Sequence, residues 1–148
     1  MVRHQPDNSV GNYNYGWHYY DDTAWAPHFH RNLEAVYVLE GQVELTVAGK
    51  TCIVSAGQWA FVLSNQIHSY AKMDHHKMWI VVFSEDFVPQ FSLQAADKQC
   101  DTPIFCCSEE VQKFVKAQLM DEVVNNFSSN SAYLPFDFSN LLIKSVST

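Results

Sequence analysis

Gln42-Val43-Glu44-Leu45-Thr46-Val47 alternates polar and apolar side chains without a break. Successive side chains of a strand point to opposite faces, so Val43, Leu45 and Val47 meet a core. Gln42, Glu44 and Thr46 then face solvent or a cavity, solvent being the plainer reading. Gly41 punctuates the start, Ala48-Gly49-Lys50 turns the chain, and Thr51 to Val54 returns as a hairpin partner. Ala56-Gly57-Gln58 is the next turn. Outward from this hairpin, Val36 to Leu39, Trp59 to Ser64, Ile67 to Lys72 and Lys77 to Phe83 read as further strands, rich in aromatic and β-branched residues. Tyr13 to Tyr20 reads as another, with Tyr13, Tyr15, Trp17 and Tyr19 on one face. Many short strands at close spacing predict a mostly β fold, closed as a barrel or sandwich that hides its edges.

The period changes in the last third. Ser108 suits a helix N-cap, and Glu109 and Glu110 suit the positive end of the helix dipole. Val111, Val115, Leu119 and Val123 recur every four residues, the spacing of a helical stripe. Pro135-Phe136-Asp137 opens a second helix carrying Leu141, Leu142 and Val146. It reaches Thr148 with neither a glycine cap nor a polar tail, which reads as a piece of something longer.

Composition narrows the function classes. The chain has 148 residues, 47% hydrophobic and 17% charged, which gives one globular domain rather than a disordered chain. Nine Lys and Arg against sixteen Asp and Glu leave a net charge of −7, and the cations are spread singly. Phosphate contacts need clustered cations, so a chain this acidic reads as a poor autonomous nucleic-acid binder. MVRHQPDNSV has no apolar signal core, and the apolar run Met78 to Phe83 is far too short for a membrane span. Cys52, Cys100, Cys106 and Cys107 form no CxxC pair and read as reduced, packed thiols in a cytoplasmic protein.

The chemistry concentrates in His28-Phe29-His30-Arg31-Asn32-Leu33-Glu34. Two residues apart on a strand, His28 and His30 share a face. Two imidazoles and a carboxylate are a common divalent-metal ligand set. On a straight strand Glu34 would lie about 13 Å from His30, so the set closes only if Arg31-Asn32 turns the chain. His68 supplies a fourth ligand if its strand pairs nearby. Asp74-His75-His76 reads as an exposed turn between strands, and His4 and His18 show no partner.

His28-x-His30, Glu34 and Gly41 resemble the first motif of the cupin superfamily, and Gly57 followed eleven residues later by His68 resembles the second. The resemblance places His28, His30, Glu34 and His68 at the family's four metal-ligand positions. Leu63 stands where the family usually has proline, Asn65 where it has glycine, and Lys72 where it has asparagine. Over residues 24 to 148 the chain is similar to the sensor domain of AraC-type transcription regulators. Its H-x-H, L-E, "VLEG" turn, "AGQ" turn and late "H-S-Y" carry that likeness.

The resemblance implies a cupin-like jelly-roll barrel (double-stranded β-helix) with an N-terminal strand arm over residues 1–105. An α-helical dimerisation segment follows over 106–148, and DNA-binding modules lie outside the chain. It implies a small effector, such as a sugar, polyol or other metabolite, bound in the barrel by His28, His30, Glu34, His68, Tyr15, Trp17, Trp25 and Tyr70. It implies a homodimer through Val115, Leu119 and Val123, and contact with DNA only through the missing modules. The four ligand positions admit two readings: a divalent ion (Zn, Fe, Ni or Mn), or a metal-free hydrogen-bonded lining. A small metal-dependent cupin enzyme, a dioxygenase or sugar-modifying enzyme, is the rival to a non-catalytic sensor.

Overall fold

The computed structural model describes residues 1–5, 15–87, 89, 93, 103–106, 109 and 113; the side chains of 15–17, 105 and 106 are outside this description. Ten strands are described: β1 (Arg3–His4), β2 (Tyr15–Asp21), β3 (Trp25–Phe29), β4 (Leu33–Glu40), β5 (Gln42–Val47), β6 (Lys50–Ser55), β7 (Gln58–Val62), β8 (His68–Lys72), β9 (Lys77–Phe83) and β10 (Ile104–Cys106). They form two five-stranded sheets, ordered β1-β3-β8-β5-β6 and β10-β7-β4-β9-β2. Apart from the parallel β1–β3 pair, every pairing is antiparallel.

The β5–β6 hairpin sets the register. Val47 pairs with Lys50, so Ala48 and Gly49 are the two loop residues. Both have positive φ, 48° and 80°. That is the twist of a primed turn, which matches the twist of the flanking strands. Val43, Leu45 and Val47 are buried; Gln42 is exposed, and Glu44 and Thr46 are half-buried on the other face. The core lies between the sheets, with Val43, Leu45, Val47 and Val54 from one meeting Val36, Val38, Ala60, Met78 and Ile80 from the other.

β4 sits in the middle of its sheet, between β7 and β9. Both its faces are buried: Val36 and Val38 join the core, while Ala35, Tyr37 and Leu39 are 0–3% exposed on the opposite face. Strands buried on both sides lose the period-two signature. Tyr37 meets Trp59 on that face with ring centroids 4.8 Å apart.

Several sequence expectations need correction. Trp25–Phe29, Arg3–His4 and Ile104–Cys106 are strands that no strong pattern announces. His76 belongs to no exposed turn; it is fully buried, two positions before Met78 on the core side, although Asp74 and His75 beside it are exposed. His4 has a partner after all, stacking on Phe29 with centroids 4.8 Å apart. The proposed helices over 108–148, including Val115, Leu119 and Val123, lie outside the described residues apart from the single helical positions 109 and 113. Cys52 is a free, half-buried thiol whose Sγ–H donates to the Leu45 carbonyl at 3.5 Å. Burial pushes that thiol up. No helix among the described residues is long and apolar enough to cross a membrane.

Candidate metal centre

His28 near the end of β3 pairs in register with His68 at the start of β8. Their ring centroids are 4.1 Å apart. His30 follows β3, and the chain bends at Arg31-Asn32, the condition the spacing imposed. The bend is held by His30 Nδ1, 2.8 Å from the Asn32 carbonyl, and by the Asn65 N–H, which donates to the His30 carbonyl at 2.9 Å. It brings Glu34, on β4 of the other sheet, to 3.2 Å from His30 Nε2 through Oε2. His28, His30, Glu34 and His68 are 1–6% exposed. The departure Asn65 keeps its function in the backbone: its φ is 61°, the left-handed conformation that glycine otherwise supplies and Asn tolerates. At Leu63, the N–H donates to Gln66 Oε1 at 2.9 Å, a bond proline could not make.

All three histidines are oriented alike. Nδ1 of His28 faces the Ala26 carbonyl at 2.8 Å, and Nδ1 of His68 faces the Gln66 carbonyl at 2.9 Å, as His30 faces Asn32. A carbonyl only accepts, so Nδ1 carries the proton, and in the neutral ring Nε2 keeps the lone pair. This is how metal-binding histidines are commonly held. One ligand nitrogen from each histidine lies within 4.8 Å of the others. His68 Nε2 is buried without a hydrogen-bond partner; Glu34 Oε1, at 3.7 Å, is an electrostatic neighbour only.

Charge follows this geometry. Burial works against ionising Glu34, but His30 Nε2, which donates to the carboxylate when the ring takes a second proton, the adjacent His68 and the Tyr70 hydroxyl outweigh it and hold its carboxyl well below the usual range. Burial would push His68 down, yet Glu34 beside it lifts it above the ordinary histidine value. His28, farther from the carboxylate, is lowered by burial. Tyr70 donates its O–H to Glu34 Oε1, and burial, with Glu34 adding to it, keeps the phenol protonated.

The residues fit an ion. Bonds of about 2.1 Å place neighbouring ligand atoms about 3.0 Å apart in octahedral and about 3.4 Å apart in tetrahedral geometry. The contact of 3.2 Å between His30 Nε2 and Glu34 Oε2 lies within that span. Three imidazoles and one carboxylate suit zinc, iron, nickel or manganese better than calcium or magnesium.

The other predicted binding residues separate. Tyr70 reaches the centre through Glu34, and Trp25 packs against Tyr70 with ring centroids 5.6 Å apart. Tyr15 and Trp17 pair in β2 with Phe83 and Val81; their side chains lie outside the description. Sequence reasoning missed Tyr20, which packs edge-on against Trp25 at 4.6 Å. Its alternation signal was available: it lies out of phase with Tyr19, whose ring meets Trp79 instead. A second acidic group, Asp21, Asp22 and His75, is exposed and already engaged, with Asp22 accepting from His75 Nδ1 and the His76 N–H.

Residues 20–83 match the family model described as a cupin domain. That match spans less than half of the chain, and it includes His28, His30, Glu34 and His68. No curated protein matches the sequence. Among solved structures, this chain is similar to a conserved protein of unknown function from Streptococcus pyogenes, at 20% identity and TM-score 0.47, covering 56% of this chain and 80% of that one. It is also similar to the EutQ protein of Clostridium difficile, at 18% identity and TM-score 0.42, covering 49% and 58%. The cupin domain of Schizosaccharomyces pombe Cnp3 is similar at 10% identity and TM-score 0.48, covering 53% and 62%.

Proposed function

We propose that this cupin domain binds a small effector at a divalent metal ion held by His28, His30, Glu34 and His68. The observation that carries this reading is the buried set of three like-oriented imidazoles around one carboxylate, with His68 Nε2 unpartnered. An ion there would offer its open coordination positions to oxygen or nitrogen atoms of the effector. The chain's own part is to fix the imidazole rings through backbone carbonyls, to keep Glu34 ionised, and to pack Tyr20 on Trp25 and Trp25 on Tyr70. Rings with an apolar face and a polar tip suit a polyol or sugar.

We further propose a sensing and dimerisation role in the cytoplasm, as in AraC-type regulators, rather than catalysis. Residues 106–148 would then supply the homodimer contacts through Val115, Leu119 and Val123, and effector binding would act on DNA-binding modules outside this chain. An effector shifts such an equilibrium only by its differential affinity for the two states. The support for this role is the sequence resemblance over residues 24 to 148. The intact ligand set favours a second reading, a metal-dependent cupin enzyme, because fold alone does not separate the two.

A thermal-shift screen over sugars, polyols and small acids, run with and without added metal, tests the proposal. A ligand at about a hundred times its Kd stabilises by about 2.7 kcal/mol, roughly 5–10 °C in a domain of this size. A shift that requires metal, from a compound recovered unchanged, supports the sensor. Chemical conversion of that compound moves the reading to an enzyme. Flat curves throughout contradict effector binding.

A further inference from the structure

We propose that Tyr70 is a positioning residue for the metal centre: its buried hydroxyl occupies Glu34 Oε1 and leaves Oε2 as the single oxygen the carboxylate offers to an ion. This rests on the metal-binding reading above. Tyr70 follows His68 by two positions on β8, so strand alternation turns both side chains to the same face. Tyr70 is 2% exposed and Glu34 4% exposed, and they belong to different sheets. The Tyr70 ring is braced by the edge of Trp25, and its O–H reaches Oε1 while Oε2 stays beside His30. The two carboxylate oxygens are therefore distinct before any ion arrives.

The consequence is chemical. A carboxylate binds an ion through one oxygen or both, and two-oxygen binding raises the coordination number. The Tyr70 proton lowers the donor strength of Oε1 and fixes the rotation of the group. Ions that accept four to six nitrogen and oxygen ligands gain from this arrangement. Calcium, which takes six to eight oxygens and often both of a carboxylate, loses. Partners that orient a ligand in this way are typically worth about 10- to 100-fold in metal affinity.

The test uses the full chain, stripped of metal and titrated with cobalt(II), beside Tyr70→Phe. We expect the variant to bind one ion about 10- to 100-fold more weakly. Its visible cobalt bands should be weakened as Oε1 joins the coordination. The metal-induced infrared difference spectrum of the parent should show widely separated carboxylate stretches, which mark one-oxygen binding, and the separation should narrow in the variant. Equal affinity, or weaker binding with unchanged spectra, overturns the proposal while leaving the metal reading standing. A parent protein that takes up no cobalt overturns both. If Tyr70→Phe does not fold, the parent's infrared separation decides alone: wide supports the assignment, narrow overturns it.

Discussion

His28 and His68 lie directly opposite one another across the β3–β8 pair, each donating Nδ1–H to the carbonyl two residues before it. The same local device, used on adjacent strands, aims two rings at one point. The bend after β3 adds His30, and the facing sheet adds Glu34, so the centre ties the two sheets together.

Removing the carboxylate should therefore cost stability even without metal. Glu34→Ala leaves the buried Tyr70 hydroxyl without its acceptor and removes the neighbour of His30 and His68. Breaking a buried, hydrogen-bonded group by deleting one partner costs about 3 kcal/mol. Urea unfolding of the metal-free proteins should show this loss, with Glu34→Gln milder because it keeps an oxygen acceptor. An alanine variant as stable as the parent would contradict the network described.

Two glycines with similar backbones should respond differently. Gly41 has φ +73°, and a Cβ there would meet the His75 carbonyl oxygen at 2.1 Å. Gly49 has φ +80° with nothing within 4 Å. Gly49→Ala should cost only the left-handed conformation, about 1–2 kcal/mol. Gly41→Ala must also displace backbone between Asp74 and Lys77, and should cost more than about 3 kcal/mol. Equal midpoints in urea would refute the contact.

The hairpin and the histidines were legible because each has a period of two. Gln42–Val47 alternates since only one of its faces meets the core, whereas β4 is buried on both sides and its alternation is hidden. His28 and His30 declared themselves by spacing, but Glu34 joined them only on condition of a bend that local sequence permits without dictating. Trp25–Phe29 contains Pro27 and a register shift between Trp25 and His28, so no propensity argument marks it as a strand. The link from Tyr70 to Glu34 was invisible because it depends on how two sheets are stacked, not on either strand. His76 misled because Asp74 and His75 look like a turn, while the core side of β9 starts one residue earlier than the strand itself.

The Asp22–His75 pair should give a pH signature on the surface. Hydrogen bonding to Asp22 raises His75, and bonds from His75 and the His76 N–H hold Asp22 well below the usual carboxylate range. The raised histidine contributes below its unfolded value, near 6.5, and that contribution fades as pH climbs through its folded value. The depressed carboxylate contributes above its unfolded value, near 3.9, and that contribution is lost as pH falls. Their window of joint benefit is thus about pH 4 to 6.5. An imidazole titration followed by NMR should place His75 above the ordinary value in the parent and return it in Asp22→Asn. A His75 titration identical in both proteins would disprove the pairing.

Elemental analysis of protein purified without a polyhistidine tag or chelator decides whether the buried quartet holds a metal. About one equivalent of a single divalent transition ion is expected, as four converging N and O ligands dictate, and a folded His28→Ala/His68→Ala variant should lose it. Less than a few tenths of an equivalent, unchanged after incubating the folded protein with zinc, iron, nickel and manganese in turn, would contradict a metal held there.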